Sequence, residues 1–479
     1  MIKSKKDHYK SYFEEHNSNI KKTWEGIRKI VNVKKSTKFS ISHLNVKGKI
    51  VDDPVAIANS FNNFFVNVGP ETEKSVPKVP NMSPDQFLKN RNEFDFIIAH
   101  ISEEEVLDII NALPVKKGTG PASIPTRLLK IVADIIVIPL CRIINASFKT
   151  GIFPDVIKVA KVIGLHKGGS TEELNNFRPI SLLSIFDKIM EKIMHKKLYK
   201  FLEEHKILYE NQFGFRKKSS TAHSLIEITE KIKESIDNGK FGCGIFIDLK
   251  KAFDTVNHKI LIRKLEHYGI RGSILKWFES YLTDRKQYVF FNGVSSDTKL
   301  ITCGVPQGSV LGPLLFLLYI NDLPNISDKL IFFLFADDTN IYYESKNLKL
   351  LEKTVNEELK KLSLWLNLNR LALNVSKTNF VIFRSNRHKI DHNVTLIMNR
   401  KALEQKDHVK YLGVLLDEHL NWKHQIKNVS LKISRGIGIL AKLRPFLNEK
   451  LLKIFTTVLC IPTYLMVFRH GDQLIPLLL

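Results

Sequence analysis

Residues Leu330–Tyr343 read LIFFLFADDTNIYY, in which two β-prone apolar runs flank a short polar segment. Two strands joined by so short a connection form a hairpin, and its bend carries the adjacent acids Asp337 and Asp338. Taken alone, the segment is best explained as a solvated turn, because turns favour Asp. It decides the fold only together with a second acid-bearing strand.

The second strand is predicted in Gly242–His258, GCGIFIDLKKAFDTVNH. Its apolar residues Ile245–Ile247 resemble a buried strand that ends at Asp248, and residues 250–265 have helical composition. A lone Asp at such a junction more often caps the helix than serves a function. If Asp248 and Asp337 meet on neighbouring strands, however, their repulsion favours a bound cation, and oxygen ligands favour Mg²⁺. Two such ions ~3.5 to 4 Å apart can support phosphoryl transfer.

The composition describes a basic protein with enough apolar material for two or three packed units. Of its 479 residues, 44% are hydrophobic, which argues against a disordered chain. Lys and Arg number 73 and Asp and Glu 49, so the net charge is +24. A polyanionic partner is therefore plausible, although a merely basic, soluble surface explains the charge equally well.

The spacing of the cysteines and the length of the apolar runs argue against a cysteine-ligated metal site and against a membrane-spanning segment. Cys141, Cys243, Cys303 and Cys460 are too far apart for metal-ligand spacing and fit a reducing, intracellular compartment. We expect no membrane insertion, because the apolar runs are shorter than the ~20 residues that a spanning helix needs.

The rest of the chain divides into an N-terminal segment and a series of core helices. Residues 1–95, with a turn-rich patch at Gly69–Pro84, are expected to be an extension or linker. Ser102 and Glu105 have capping-box spacing and predict a helix start. Apolar residues at helical spacing predict two core helices; they are Ile185, Ile189 and Ile193 in one, and Leu351, Val355, Leu359, Leu362 and Leu366 in the other.

Three further segments have functional composition. Gly304–Asp322, GVPQGSVLGPLLFLLYIND, predicts a shaped loop before an apolar helix. In Lys161–Leu183, the cations Lys167 and Arg178 flank a polar loop and could neutralise a triphosphate, though Lys167 is equally explained as a solvated loop charge. Asn211–Arg216, NQFGFR, suits either a template contact or core packing.

In this order the motifs resemble those of reverse transcriptases, most closely the enzymes of Jockey-like retrotransposons without long terminal repeats. The resemblance implies a reverse transcriptase domain over residues 147–416. It assigns Asp248, Asp337 and Asp338 to catalysis and to binding two Mg²⁺ ions, with Asp338 in a supporting role. Phe253 matches the bulky residue that obstructs a ribose 2′-hydroxyl, although an ordinary core Phe remains an alternative.

The resemblance also implies contacts with substrate and primer. The nucleotide would be bound by Arg178, Gln307 and Gly308, with Lys167 a weaker assignment. Lys377, in the segment LNVSKT, is a candidate general acid for the departing pyrophosphate. The primer end would be gripped by a strand pair that contains Tyr411, Leu412 and Gly413.

Three departures from the family pattern stand out. Ala122 and Ser123 replace the usual Asp-Gly of an early loop, and no endonuclease is recognisable. The tail from Thr457 loses the family pattern, so residues 417–479 are expected to form a partial, truncated thumb.

These inferences predict an α+β right-hand polymerase, with helical fingers, a palm on a small antiparallel sheet and a partial helical thumb. Its expected partners are an RNA template, a DNA primer and deoxynucleoside triphosphates, and the family implies action in the nucleus. The main alternative is a retrotransposon relic that binds RNA without catalysis. A structural protein would need several motifs in the right order by accident, and a maturase would need an RNA-binding region after the thumb.

Overall fold

The computed structural model describes residues 2–16, 19–31, 41, 43–46, 48–89, 91–115, 118–122, 124–390, 392–447 and 449–459. Helices alternate with short strands along the chain. The helices are α1 Ile2–Glu15, α2 Ile20–Ile30, α3 Pro54–Lys74, α4 Glu103–Asn111, α5 Thr126–Ile131, α6 Ala133–Thr150, α7 Ile185–Glu204, α8 Thr221–Asp237, α9 His258–His267, α10 Gly272–Leu282, α11 Leu311–Ile320, α12 Leu348–Leu368, α13 Lys423–Leu443 and α14 Glu449–Leu459.

The strands form two larger sheets and three two-stranded pairs. They are β1 Leu44–Val46, β2 Lys49–Val51, β3 Val159–His166, β4 Phe177–Leu182, β5 Phe241–Ile247, β6 Lys286–Phe291, β7 Val294–Ser295, β8 Lys299–Leu300, β9 Ile331–Phe335, β10 Asp338–Ser345, β11 Asn379–Phe383, β12 Ile397–Met398, β13 Lys401–Ala402, β14 Glu404–Gln405, β15 His408–Tyr411 and β16 Val414–Asp417.

The central sheet has the order β14-β11-β5-β10-β9, and its neighbours are antiparallel except for the β11–β14 pair. It contains both acid-bearing segments, because β5 pairs with β10 and β10 pairs with β9. The predicted hairpin is confirmed, with a left-handed residue, Ala336 (φ +57°), at its bend. Of the two acids expected at the bend, only Asp337 lies there, because Asp338 already pairs with Phe335 as the first residue of β10. Helices combined with small, largely antiparallel sheets confirm the α+β class.

One apolar core lies between the central sheet and its helices. Helix α11 is buried along its whole length, which explains the apolar run in the sequence. Both predicted core helices form, as α7 and α12, and Ser102 caps α4 by accepting the Glu105 N–H at 3.2 Å. Within the described ranges, no helix is long and apolar enough to cross a membrane.

The second sheet has the order β4-β3-β6-β7, with β8 also paired to β6. Helix α3 packs on it, and Phe61 meets Phe177 edge-on at 4.9 Å between ring centroids.

The structure differs here from the predicted extension over residues 1–95, because α3 is part of a core. The prediction of a turn-rich segment at Gly69–Pro84 is wrong for its first six residues, because Gly69–Lys74 continue α3. Gly69 is needed there, since a Cβ at this position would lie 2.2 Å from the Asp254 carbonyl oxygen.

The two ends of the described chain pack together. Helices α1 and α2 share an apolar cluster with α13 and α14, in which Phe13, Ile27, Leu443 and Phe455 are buried. The rings of Phe13 and Phe455 meet edge-on at 6.0 Å. The N-terminal helices therefore bury apolar surface that α13 and α14 would otherwise expose.

Candidate active site

Asp248 directly follows β5, and side chains from another segment hold it in place. Asn374 donates its Nδ2–H to Asp248 Oδ2 at 2.7 Å, and its backbone N–H bonds to the Asp248 carbonyl at 2.8 Å. The Asp248 N–H donates to Thr378 Oγ1 at 3.3 Å. Both partners lie in the segment LNVSKT, which the sequence singled out only for Lys377. Asn374 is thus a site residue that sequence reasoning missed.

The β9–β10 hairpin brings its acids beside Asp248. Thr339 of β10 pairs with Ile247 of β5, so one step further along each strand Asp338 lies level with Asp248. Asp337 occupies the bend next to them. The condition set in the sequence analysis, that acids from two separate segments meet on neighbouring strands, is therefore met at one end of the sheet.

The segment NQFGFR supports this hairpin from behind. Gln212 Oε1 accepts the backbone N–H groups of Gly214 at 2.9 Å and Ala336 at 3.1 Å. A Cβ at Gly214 would lie 2.3 Å from the Ala336 nitrogen, so only glycine allows this approach. The sequence left open a template contact or core packing. For Gln212, the structure favours packing that fixes the bend of the hairpin.

Electrostatic repulsion couples the three acids. Desolvation by burial raises the pKa of Asp338 to about 6, with additional contributions from the charges of Asp337 and Asp248. Desolvation is also the largest cause that raises the pKa of Asp337, and the charge of Asp248 adds to it. Carboxylates that are this close and partly desolvated favour a bound cation, so the donor set fits a divalent metal ion.

A loop between β8 and α11 lies against β4 and carries the predicted nucleotide contacts. The Ser181 N–H donates to the Gln307 carbonyl at 2.7 Å. Gly308 has φ +120°, and a Cβ there would lie 2.6 Å from the Ser181 carbonyl oxygen. Backbone contact with β4 therefore requires glycine at this position, as the predicted close approach implies.

Four cations lie around this loop. Desolvation and the nearby charges of Lys251, Arg178 and Lys377 lower the pKa of Lys167 to about 8. The pKa of Lys251 is lowered as well, mainly by desolvation and then by Arg178 and Lys377. We call Lys167, Arg178, Lys251 and Lys377 the cation cluster. Three of its members were predicted from the sequence, but Lys251 was missed although it lies in the segment Gly242–His258.

Phe253 lies beside the cluster in a single 3₁₀ turn, Ala252–Thr255, where the sequence predicted a longer helix over residues 250–265. That prediction is wrong because the carbonyls of Phe253 and Val256 accept N–H groups of the loop at Val305 and Gly304, at 2.9 and 2.8 Å. These carbonyls are unavailable for helical bonds, and α9 begins only at His258.

The half-buried Phe253 ring stacks on Phe316 at 4.5 Å and meets Phe215 edge-on at 6.3 Å. Part of the ring is packed against the core and part remains exposed. Both alternatives of the sequence analysis are therefore compatible with its position.

The predicted strand pair forms as the hairpin β15–β16. Leu412 and Gly413 both have positive φ, +44° and +95°, as a two-residue hairpin turn requires. The buried Tyr411 hydroxyl bonds to Ser224 at 2.6 Å. Burial raises the pKa of Tyr411 to about 12, and the charge of Asp338 adds to this shift. The hairpin thus lies near the acids.

Some sequence features lie outside the described residues. They are Lys116 and Lys117, Ser123, and the tail from Cys460 onward. The described cysteines Cys141, Cys243 and Cys303 are buried and free.

Comparisons with protein families and with individual proteins identify the same kind of enzyme. The family described as reverse transcriptase (RNA-dependent DNA polymerase) matches residues 165–416. A probable RNA-directed DNA polymerase from transposon BS of Drosophila melanogaster is 32% identical over 74% of this chain and 39% of its own length. The RNA-directed DNA polymerase from mobile element jockey of the same species is 29% identical over 72% of this chain and 38% of its own length.

A more distant relative is the Retrovirus-related Pol polyprotein from type-1 retrotransposable element R1 of Bradysia coprophila, 24% identical over 71% of this chain and 34% of its own length. The chain spans about two fifths of the length of the first two relatives and a third of this one. Because the family match covers more than half of the chain and contains all three acids, the protein belongs to the reverse transcriptase family, among those of Jockey-like retrotransposons without long terminal repeats.

Proposed function

We propose that this chain adds deoxynucleotides to a primer 3′-hydroxyl on an RNA template. One observation carries the proposal: Asp248, Asp337 and Asp338 meet at the end of the central sheet, beside the cation cluster. The relatives are named as RNA-directed DNA polymerases, which supports the same reaction. A site that joins acids for metal ions with cations for phosphates fits nucleotidyl transfer better than simple RNA binding.

The three acids are proposed to hold two Mg²⁺ ions. Bound there, the ions would activate the primer hydroxyl and stabilise charge on the leaving pyrophosphate. Asn374 keeps the Asp248 carboxylate oriented by its 2.7 Å hydrogen bond, and Gln212 fixes the bend that carries Asp337. The protein thus contributes preorganised acids that need little rearrangement during the reaction.

The residues around the acids are assigned to substrate and primer. Arg178 and Lys167 bind the triphosphate, with Gln307 and Gly308 beside the nucleotide, and Lys377 donates a proton to the departing pyrophosphate. Phe253 obstructs a ribose 2′-hydroxyl. The hairpin β15–β16, with Tyr411, Leu412 and Gly413 at its end, grips the primer.

In a right-hand polymerase, these assignments make the central sheet the palm. The second sheet, with α3 and neighbouring helices, corresponds to the fingers, and α13 with α14 to the thumb. This division assigns α1 and α2 to the support of the thumb, because they share its apolar cluster.

The test is primer extension on a defined RNA template with Mg²⁺ and deoxynucleotides. The parent chain should extend the primer, and Asp337→Ala should lose the activity. Asp337→Asn is the matched variant, because it retains the size of the side chain and removes its charge. Asp328→Ala is the control, since Asp328 is almost fully exposed and pairs with the surface residue Lys89.

Equal and negligible extension by the parent and Asp337→Ala would contradict the proposal. If both chains then bound RNA in a salt-sensitive manner, an RNA-binding relic would be the better account. Retention of full activity by Asp337→Asn would contradict the assigned metal ligand but not the reaction.

A further inference from the structure

Asp254 is a half-buried acid beside the cation cluster that the proposed mechanism does not use. It lies six residues after Asp248, in the 3₁₀ turn that carries Phe253. Gln307 Nε2 donates to its Oδ1 at 2.7 Å, while its buried Oδ2 has no hydrogen-bond partner among the described residues. A carboxylate buried this way is costly unless nearby charges stabilise it.

The charges around Asp254 come from the cation cluster. Burial raises the pKa of Asp254, whereas the Gln307 hydrogen bond and the charges of Lys251, Lys167 and Arg178 act in the opposite direction. In return, Asp254 favours the charged forms of Lys167 and Lys251. The negative charge of Asp254 therefore offsets part of the repulsion within the cation cluster, whose proposed ligand is phosphate.

Backbone contacts fix the distance between Asp254 and Gln307. The loop N–H groups of Gly304 and Val305 bond to carbonyls on either side of Asp254. Gly304 has φ +85°, and a Cβ there would lie 2.8 Å from the Asp254 carbonyl oxygen. The two side chains thus meet because their backbones are joined, and rotation of one side chain alone would not separate them.

The hydrogen bond also determines which end of the Gln307 amide faces the nucleotide. An ionised carboxylate only accepts hydrogen bonds, so the NH₂ group of Gln307 must point toward Asp254. The amide oxygen is then left for contacts on the other side. Without Asp254, the amide could adopt either orientation.

We propose that Asp254 is a positioning residue for nucleotide binding, which orients the Gln307 amide and keeps the cation cluster charged and in place. This inference rests on the proposed nucleotide site. It predicts that Asp254 acts through Gln307, so removal of either side chain should weaken nucleotide binding by a similar factor. The effects of the two removals should not add, because they disrupt one arrangement.

The experiment measures the Kd of a fluorescent deoxynucleoside triphosphate on the full chain with primer and RNA template, by anisotropy, together with KM and kcat. Asp254→Ala and Gln307→Ala should each raise Kd and KM about tenfold, with a smaller change in kcat, as expected for an altered charged hydrogen bond. The double variant should resemble either single variant. Asp254→Asn should restore part of the affinity, because it retains an acceptor for Gln307.

A matched control is Asp322→Asn, since Asp322 is a buried acid that pairs with Lys264 elsewhere in the core. It should lower the thermal unfolding midpoint without changing Kd. The inference is overturned if Asp254→Ala leaves Kd unchanged, if the two alanine effects multiply, or if Asp322→Asn raises Kd equally. A parent that binds nucleotide but does not extend a primer would remove the polymerase proposal alone, because Kd would still test Asp254. A parent that binds no nucleotide would overturn both.

Discussion

At the scale of single residues, the site combines acids that repel each other with cations that repel each other. Asp338 and Lys167 are partly desolvated, which raises the pKa of Asp338 to about 6 and lowers the pKa of Lys167 to about 8. Such perturbed groups are concentrated at functional sites, because a bound ligand supplies the missing opposite charge.

The first prediction concerns the pH dependence of nucleotide binding. Lys167, with a pKa of about 8, is cationic below that pH and loses its charge above it. The KM for deoxynucleotide should therefore rise between pH 7 and pH 9, by up to about tenfold if one charged hydrogen bond to phosphate is lost. Steady-state primer extension across this range measures the effect.

Lys167→Arg is the matched variant, because a guanidinium remains charged throughout this range. Its KM should be nearly constant from pH 7 to pH 9. An equal rise in both proteins would show that another group titrates.

The second prediction concerns Gly308. In Gly308→Ala, the new Cβ would meet the Ser181 carbonyl at 2.6 Å, on a backbone with φ +120° that alanine rarely adopts. The loop must shift away from β4, and we expect kcat/KM to fall roughly ten- to a hundredfold.

Gly438→Ala is the control, since a Cβ there has no neighbour within 4 Å. It should leave kcat/KM unchanged and slightly raise thermal stability, because alanine favours the helix α13. Unchanged kinetics for Gly308→Ala would refute the requirement for close contact.

At the scale of elements, short-range signals predicted the strands and hairpins but not all helix boundaries. The hairpin β9–β10 follows from apolar runs around a turn, whereas β15–β16 was expected from the family resemblance. Helix α3 instead runs through Gly69 and Pro70, where turn chemistry predicts an end. Its packing on the second sheet outweighs the local preference.

The third prediction tests the N-terminal helices as a support for α13 and α14. Phe13 is almost fully buried, and its removal should cost ~3–5 kcal/mol if the cluster cannot collapse around the cavity. Hydrogen exchange in α13 and α14 should accelerate in Phe13→Ala, with a lower unfolding midpoint. Phe94→Ala is the comparison, because Phe94 is 59% exposed and lies outside this cluster. Similar small effects for both variants would indicate that α1 does not support these helices.

At the scale of the whole molecule, the net charge of +24 predicts salt-dependent binding to RNA. If six to ten phosphates are contacted, affinity should fall by about 10³ to 10⁵ between 50 and 200 mM salt. Anisotropy titrations with a labelled RNA measure this dependence. Asp337→Ala should show the same slope, because its loss of catalysis leaves the basic surface intact. A shallow slope would mean that few phosphates are neutralised.

Short-range sequence signals predict most of the strands and helices, and the motifs name candidate site residues. Strand, turn and loop character singled out Asp248, Asp337 and Arg178 as candidate ligands for cations and phosphates, because this character depends on near neighbours. The role of Gln307 came from the resemblance of its motif to that of reverse transcriptases, and the α+β class from that resemblance together with the local pattern.

Contacts between residues that are distant along the chain could not be predicted from these local signals. Asp254 contacts Gln307 from 53 positions away, and Asn374 reaches Asp248 from 126. The pairing of α1 and α2 with the last described helices is more distant still. The physical reason is that turn and strand preferences act over a few residues, whereas these contacts arise from the burial of apolar faces and from backbone pairing between remote segments.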